Sequence, residues 1–357
     1  MPFYYRLRRN NVSSEDRIRT VEGLQRLRAQ LREELPARTV KKSLLLATWN
    51  IRDLGNEDKR FEPGTGPGHR FEESYYYIAE IISSFDLVAL QEVNSLEALQ
   101  KIMRILGPSW DYMTTDVTRT VGGNNERMTF VYDKRKILFQ NVVGQVVTDD
   151  DKQFVRTPFY ASFQAGWFRF TLCTVHILYG DWKDTTERVA EIDRIAKTLV
   201  ARSEATGENM ILLGDFNIIS QEDATFAPLT DNGWYVPLDF DTNVMKSKSY
   251  DQIAFYVNEE DLENKPRGGV FEFFKSVYRG EDLQTYYELA GKLGRPLEPW
   301  DNTPGFPDKT KTLTREQYYE RNWRTWQMSD HMSLWTELEI DFTDAYLEKT
   351  KGWGCSK

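Results

Sequence analysis

A chain of 357 residues with 46 Lys+Arg against 55 Asp+Glu carries a net charge of −9, and 13% aromatic residues within a 40% hydrophobic composition exclude global disorder. No apolar run approaches the ~20 residues of a membrane helix, the first thirty residues lack the apolar core of a secretory signal, and Cys173 and Cys355 build no disulfide framework, so the chain reads as cytoplasmic with no stable membrane association. The acidity argues at first against a polyanionic partner, an inference that the placement of the charge revises.

Residues 1–42 hold 11 Lys+Arg and 5 Asp+Glu, a net +6 that leaves −15 for the remainder. Within this basic extension the 13–35 stretch predicts a helix: Ser13 or Ser14 caps it, acids fill its first turn and Pro36 follows it. Ile18, Val21, Leu24, Leu27, Leu31 and Leu35 form an apolar stripe, suited to packing on the main body, to dimerisation, or to carrying a basic arm onto substrate. From residue 43 short apolar runs take over. Leu44–Thr48, Leu87–Leu90, Phe168–Val175, Met210–Leu213, Ile253–Tyr256 and Leu334–Ile340 read as strands. Phe71–Ser84, Leu96–Leu106 and Glu187–Ala205 read as helices, and the alternation points to an α/β architecture with buried sheets. Glu62–Gly68 and Val121–Asn125 are glycine-bearing loops, the second placed to close a hairpin. Residues 257–328 form a long polar and aromatic stretch, and 346–357 a C-terminal tail.

The strands end in polar residues that hydrophobic packing would not select. Leu44–Thr48 runs into Asn50, Leu87–Leu90 into Gln91-Glu92, Phe168–Val175 into His176, and Met210–Leu213 into Gly214-Asp215-Phe216-Asn217. Asp251 opens the next strand and Asp330-His331 precede the last. In α/β folds function collects along such an edge. Asn50, Glu92, Asp215, Asn217 and Asp330 supply hard oxygen donors of the kind that hold Mg²⁺ or Mn²⁺, and His176 and His331 can move protons near neutral pH. No Cys–His cluster, nucleophile elbow or phosphate-binding Gly-Lys-Ser/Thr loop is present. Metal-assisted hydrolysis of a phosphate ester is the chemistry these residue types suit.

From about Leu44 to Phe342 the motifs TWNIRDLG, DLVALQEV, NNERMTFVY, FVRTPFYASF, CTVHILYGD, ILLGDFN, SYDQIAF and SDHMSLWTELEI follow in order. In that order they resemble the endonuclease/exonuclease/phosphatase superfamily, and within it deoxyribonuclease I most. The resemblance implies a four-layer α/β sandwich, two packed mixed β-sheets flanked by helices, over residues 43–345, with the 1–42 extension added and an insertion at about 257–328. It also implies that Asn50 and Glu92 hold the principal divalent ion and that Asp215, Asn217 and Asp330 complete the metal and phosphate site. Glu126 would orient His176, Asp251 would orient His331, and Arg52 and Arg156 would contact substrate phosphate. Two residues depart from deoxyribonuclease I: its minor-groove Arg is replaced by Asn94, and the companion Tyr by Asn124. The implied duplex contact is therefore altered while the catalytic set is complete. The aromatic residues of the insertion, from Phe271 to Trp326, are suited either to a small satellite core or to base stacking, and His69 lies in a Gly-Pro loop as a structural residue.

The sequence thus predicts a Mg²⁺- or Mn²⁺-dependent phosphodiesterase, an endonuclease on DNA, single-stranded DNA included, or on RNA. The alternatives are a phosphomonoesterase or phospholipase-like hydrolase on a small phosphorylated head group, and an inactive binding module. The carboxylates of Glu92, Glu126, Asp215, Asp251 and Asp330 account for part of the −15, and a bound cation offsets their field locally. Acidity and a nucleic-acid substrate are compatible on these terms, with a salt dependence that should flatten on removal of 1–42.

Overall fold

A computed structural model describes residues 2–9, 12–55, 70–117, 126–147, 154–181, 183–257, 266–293, 297 and 313–352. The two glycine-bearing loops, His69 and Asn124 lie outside the described residues. Among the described residues, eleven strands form two sheets. The six-stranded sheet takes β1 (Ser43–Leu54), β2 (Leu87–Val93), β3 (Trp110–Thr114), β4 (Arg127–Asp133), β10 (Arg267–Phe271) and β11 (Ser333–Glu339) in the order β10-β11-β1-β2-β4-β3. The five-stranded sheet runs β5 (Leu138–Gln145), β6 (Phe159–Ala165), β7 (Phe168–His176), β8 (Asn209–Asp215) and β9 (Asp251–Tyr256) in chain order.

Each sheet is antiparallel except for one pair, β1 with β2 and β7 with β8. Parallel neighbours need a crossover, and a helix supplies it: α2 (Glu72–Ser83) joins β1 to β2, and α4 (Thr186–Thr206) joins β7 to β8. The carboxyl ends of these four strands carry Asn50, Glu92, His176 and Asp215. The strands read as continuous apolar runs because both faces are covered. Leu44 and Leu46 face the inter-sheet core, with Leu172, Ile211, Leu213 and Ile253 opposite them. Leu45, Ala47 and Trp49 face α1 (Ser14–Glu34), α2 and α3 (Leu96–Leu106), while Met210 and Leu212 face α4. Helix, sheet, sheet, helix is the four-layer sandwich that the motifs imply.

The N-terminal extension belongs to this packing. Leu24, Leu27, Leu31 and Leu35 are buried in the same cluster as α2, so the predicted stripe is covered within the chain, and Ile18 and Val21 remain exposed. Three of its arginines are likewise engaged with acids of the main body: Arg19 with Glu73, Arg28 with Glu80, and Arg38 with both Asp86 and Asp133.

In its described residues the insertion adds β10 at the sheet edge, the short helical segments Phe273–Lys275, Gly280–Asp282 and Leu283–Lys292, and the irregular helical run Arg315–Gln327, which contains a π-helical turn at Tyr319–Trp323. Phe271, Phe273, Tyr278, Tyr286, Tyr318, Tyr319 and Trp323 are buried, and they merge with the core of the outer helical layer rather than forming a separate satellite. The last helix, Thr343–Gly352, crosses the expected start of the tail. No helix among the described residues is long and apolar enough to cross a membrane.

Candidate active site

Strand β1 ends in a strained corner. Arg52 and Asp53 both have φ +49, and on the neighbouring strand Glu92 has φ +59. Non-glycine residues held in the left-handed region cost about 1 kcal/mol or more each and gather at functional sites. The corner has a visible use: Arg52 N–H donates to Asn50 Oδ1 at 3.0 Å, and Asp53 N–H to Glu92 Oε2 at 2.8 Å. Asn50 Nδ2 then lies 3.0 Å from both Glu92 Oε1 and Asp215 Oδ2. One amide thereby joins a carboxylate from each sheet.

On the second sheet, Gly214 has φ +138 on β8 beside the Val175 backbone of β7. Asn217, at φ +54, donates N–H to Asp215 Oδ1 at 2.9 Å and its side-chain amide to Ile177 O at 2.8 Å. Buried Arg188 fixes this turn through Asn217 O at 2.7 Å. Asp215 is thus braced by its own loop through Oδ1, and its Oδ2 is left to the Asn50 amide and the two imidazoles.

Two acid–imidazole pairs converge on that oxygen. His176 Nδ1 lies 3.1 Å from Glu126 Oε2, with its Nε2 3.5 Å from Asp215 Oδ2 and 3.9 Å from Glu92 Oε1. His331 Nδ1 lies 2.8 Å from Asp251 Oδ2, with its Nε2 3.7 Å from Asp215 Oδ2. Burial disfavours the charged imidazole, but Glu126 raises His176 above its ordinary value, and Asp251 and Asp215 hold His331 well above it. Burial works against the Glu92 carboxylate too. His176 and the Asn50 amide outweigh it and bring Glu92 below its usual range.

The remaining predicted residues sit differently. Arg156 is only 4% exposed, precedes β6 in an irregular segment rather than lying in a strand, and turns inward. Its Nε is 2.5 Å from Glu126 Oε1, an ion-pair contact not aligned as a hydrogen bond. It braces the Glu126–His176 pair from behind. Asp330 is the most exposed of the predicted carboxylates, at 39% for the side chain, and pairs with Arg52 Nη1 at 3.5 Å instead of joining the Asn50 cluster. The Arg52 guanidinium also donates to Thr325 Oγ1 and lies 3.7 Å from the centre of the Trp326 ring. The C-terminal end of the insertion therefore reaches the site.

Ligand atoms of Glu92, Glu126 and His176 lie within 4.8 Å of one another. Glu126 is already taken by His176 and Arg156, so Glu92 and Asp215 are the carboxylates placed to hold a cation. Asn50 Nδ2 bridges them, and Asn50 Oδ1, which accepts from Arg52 N–H, is the amide atom that could join the ion. Hard oxygens from both sheets with an imidazole edge beside them fit a divalent ion. Sequence reasoning missed Arg70, Arg188, Thr325 and Ser329. Ser329 Oγ donates to Asn50 O at 2.6 Å and accepts from His331 N–H at 3.0 Å. All four act on backbone groups or on another side chain's orientation, a role that leaves no signature in residue type. Asn94, which the sequence places where deoxyribonuclease I has its groove-reading Arg, donates to Asp53 Oδ1 at 2.8 Å and so supports the corner.

A family model described as the endonuclease/exonuclease/phosphatase family matches residues 47–326. A deoxyribonuclease from Thioalkalivibrio sp. (strain K90mix) is 30% identical over 191 residues, 50% of this chain and 48% of the relative, so the chain spans about half the length of the curated protein it matches. An endonuclease/exonuclease/phosphatase family protein from Bacteroides thetaiotaomicron has TM-score 0.50 and 17% identity, covering 84% of this chain and 98% of that one. Mannosyl-6-phosphatase Bt3783 of Bacteroides thetaiotaomicron VPI-5482 has TM-score 0.50 and 16% identity, covering 83% and 99%. At these identities the two structural likenesses are likenesses of fold.

Proposed function

Since this chain belongs to the endonuclease/exonuclease/phosphatase family, we propose that it is a Mg²⁺- or Mn²⁺-dependent phosphodiesterase that cleaves nucleic acid internally. One observation carries the reading: two acid–imidazole pairs aim their free nitrogens at the same oxygen of Asp215, 3.5 and 3.7 Å away, beside the Asn50–Glu92 pair. A phosphodiester needs a proton removed from the attacking water and another delivered to the leaving oxygen. His176, oriented by Glu126, and His331, oriented by Asp251, can share those two tasks. Each carboxylate fixes its ring through Nδ1 and leaves Nε2 for the proton.

A divalent ion held by Asn50, Glu92 and Asp215 would supply charge stabilisation at the phosphoryl oxygens. Arg52, held over the Trp326 ring and against Thr325 and Asp330, offers a guanidinium for the substrate phosphate. Arg156, buried against Glu126, serves better as a brace than as a phosphate contact. The deoxyribonuclease relative supports a nucleic-acid substrate. With Asn94 tied to Asp53, a groove-reading arginine is missing there, which favours a single strand over duplex read in the manner of deoxyribonuclease I.

The test is a cleavage panel of supercoiled plasmid, single-stranded DNA and RNA, run with Mg²⁺, with Mn²⁺ and with chelator. Wild type is expected to cleave in either metal and to stop in chelator, and His176→Ala and His331→Ala are expected to be inert while folded. Protein inert on all three nucleic acids in both metals would overturn the proposal.

A further inference from the structure

Arg70 lies outside every motif that carries the chemistry, yet it is buried to 6% exposure against the catalytic corner. Its Nη2 donates to Ile51 O at 2.7 Å, Arg52 O at 2.5 Å and Met328 O at 3.2 Å, and its Nη1 to Asp53 O at 3.2 Å. Two of these carbonyls belong to special peptide units. The unit whose carbonyl is Ile51 O has the Arg52 N–H at its other end, and that N–H donates to Asn50 Oδ1. The unit whose carbonyl is Arg52 O has the Asp53 N–H at its other end, and that N–H donates to Glu92 Oε2.

In a trans peptide the C=O and N–H point in opposite directions. A guanidinium on the carbonyl side therefore fixes the plane and strengthens the donor on the far side. Arg70 acts in this way on both units at once, across a corner whose Arg52 and Asp53 are held at φ +49. Its bond to Met328 O ties the same corner to the segment entering Ser329-Asp330-His331. The adjacent Phe71 N–H donates to Gln327 Oε1 at 2.8 Å in the same seam.

We infer that Arg70 is a positioning residue, which through two peptide planes sets the Asn50 amide and the Glu92 carboxylate in the arrangement that takes a divalent cation. The inference rests on the reading above that these side chains hold the ion. Both carbonyls are reached from one nitrogen, Nη2, while Nη1 reaches Asp53 O, so the single ammonium of a lysine would keep only part of this contact set.

Calorimetric titration of the full chain with Mn²⁺ tests this without any substrate. Arg70→Met, folded by circular dichroism, is expected to bind Mn²⁺ about 10–100-fold more weakly than wild type, the usual loss when a group orienting metal ligands is removed. Arg70→Lys is expected to fall between the two. Gln327→Ala loosens the seam but leaves the carbonyl bonds, and is expected to keep wild-type affinity. Arg70→Met with unchanged Mn²⁺ affinity and only a lowered melting temperature would make Arg70 a staple and overturn the inference alone. Should Arg70→Met not fold, Arg70→Gln, whose shorter side chain cannot reach both carbonyls, is read in its place, and wild-type affinity there overturns the inference equally. A wild type that binds no Mn²⁺ overturns both the inference and the reading on which it stands.

Discussion

His331 Nδ1 sits 2.8 Å from Asp251 Oδ2, and Asp251 is itself held at the start of β9 by its N–H to Thr242 Oγ1 at 3.1 Å. The carboxylate is buried, so its orienting bond is not diluted by water. Asp251→Asn keeps the shape but presents an amide that can donate to Nδ1, favouring the wrong imidazole tautomer. We expect kcat on a phosphodiester to fall about 10²–10⁴-fold with near-ultraviolet circular dichroism unchanged. A variant within twofold of wild type would remove Asp251 from the mechanism.

The same contact predicts a pH signature. The folded pKa of His331 is raised, since the attraction of Asp251 and Asp215 exceeds the burial penalty. A raised folded value means that the stabilisation is fully present below the unfolded value of about 6.5 and disappears as pH rises through the folded one. Melting temperatures of wild type and Asp251→Asn in chelator should differ most near about pH 6 and converge at alkaline pH. A gap that widened with pH would contradict the assignment.

Gly214 offers a test of the second sheet. It pairs with Val175 across the parallel β7–β8 ladder, and a Cβ built there would lie 2.1 Å from Val175 O. The obstacle is backbone, which cannot rotate away, and φ is +138 besides. Gly214→Ala is expected to cost about 3–5 kcal/mol of stability, measured by urea unfolding. A cost under about 1 kcal/mol would mean that the Asp215 turn is not held as described.

How much of this was legible in sequence depended on the physical cause. Strands buried on both faces, such as those bearing Leu44–Thr48 and Met210–Leu213, appeared as continuous apolar runs and were found within a few residues. The edge and hairpin strands were not: β5 alternates exposed and half-buried positions, and β3 has a single buried residue, so neither rises above its surroundings. The acids and histidines of the site were readable because a strand end has no packing reason to carry them. Arg156 could be found, but its direction could not. A guanidinium facing substrate and one facing Glu126 have the same sequence, and only tertiary packing separates them.

Arg38, in the stretch joining the N-terminal helix to β1, makes a prediction about acid stability. It bridges Asp86 and Asp133 at 2.7 Å each, and Asp133 is 1% exposed. Burial alone would raise the Asp133 carboxyl, but hydrogen bonds from Arg135 and Arg38 hold it well below its usual range. A depressed folded value gives stabilisation that is present above the unfolded value of about 3.9 and is lost as pH falls through the folded one. Arg38→Met leaves Asp86 with Lys136 and Asp133 with Arg135, so it should cost about 1–3 kcal/mol at neutral pH. The difference from wild type should shrink on acidification, followed by urea melts. Equal loss at every pH would point to packing rather than charge.

The basic extension is the last case, because its +6 invites a role on polyanions. Arg17 and Arg26 donate to backbone carbonyls, Arg19 and Arg28 pair with the buried acids Glu73 and Glu80, and Arg38 is spent as above. Arg8, Arg9 and Arg32 are the exposed arginines left on this part of the extension. Each phosphate contact contributes about 0.7 to the salt slope on a single strand. Charge reversal at these three is therefore expected to lower the slope for single-stranded DNA by about 1 unit or less, with the melting temperature unchanged. Arg28→Met should do the opposite: it leaves Glu80 buried without its cation, lowering stability by about 3 kcal/mol or more while the salt slope stays put. A fall of about 2 units in the triple variant would place the extension on the nucleic acid.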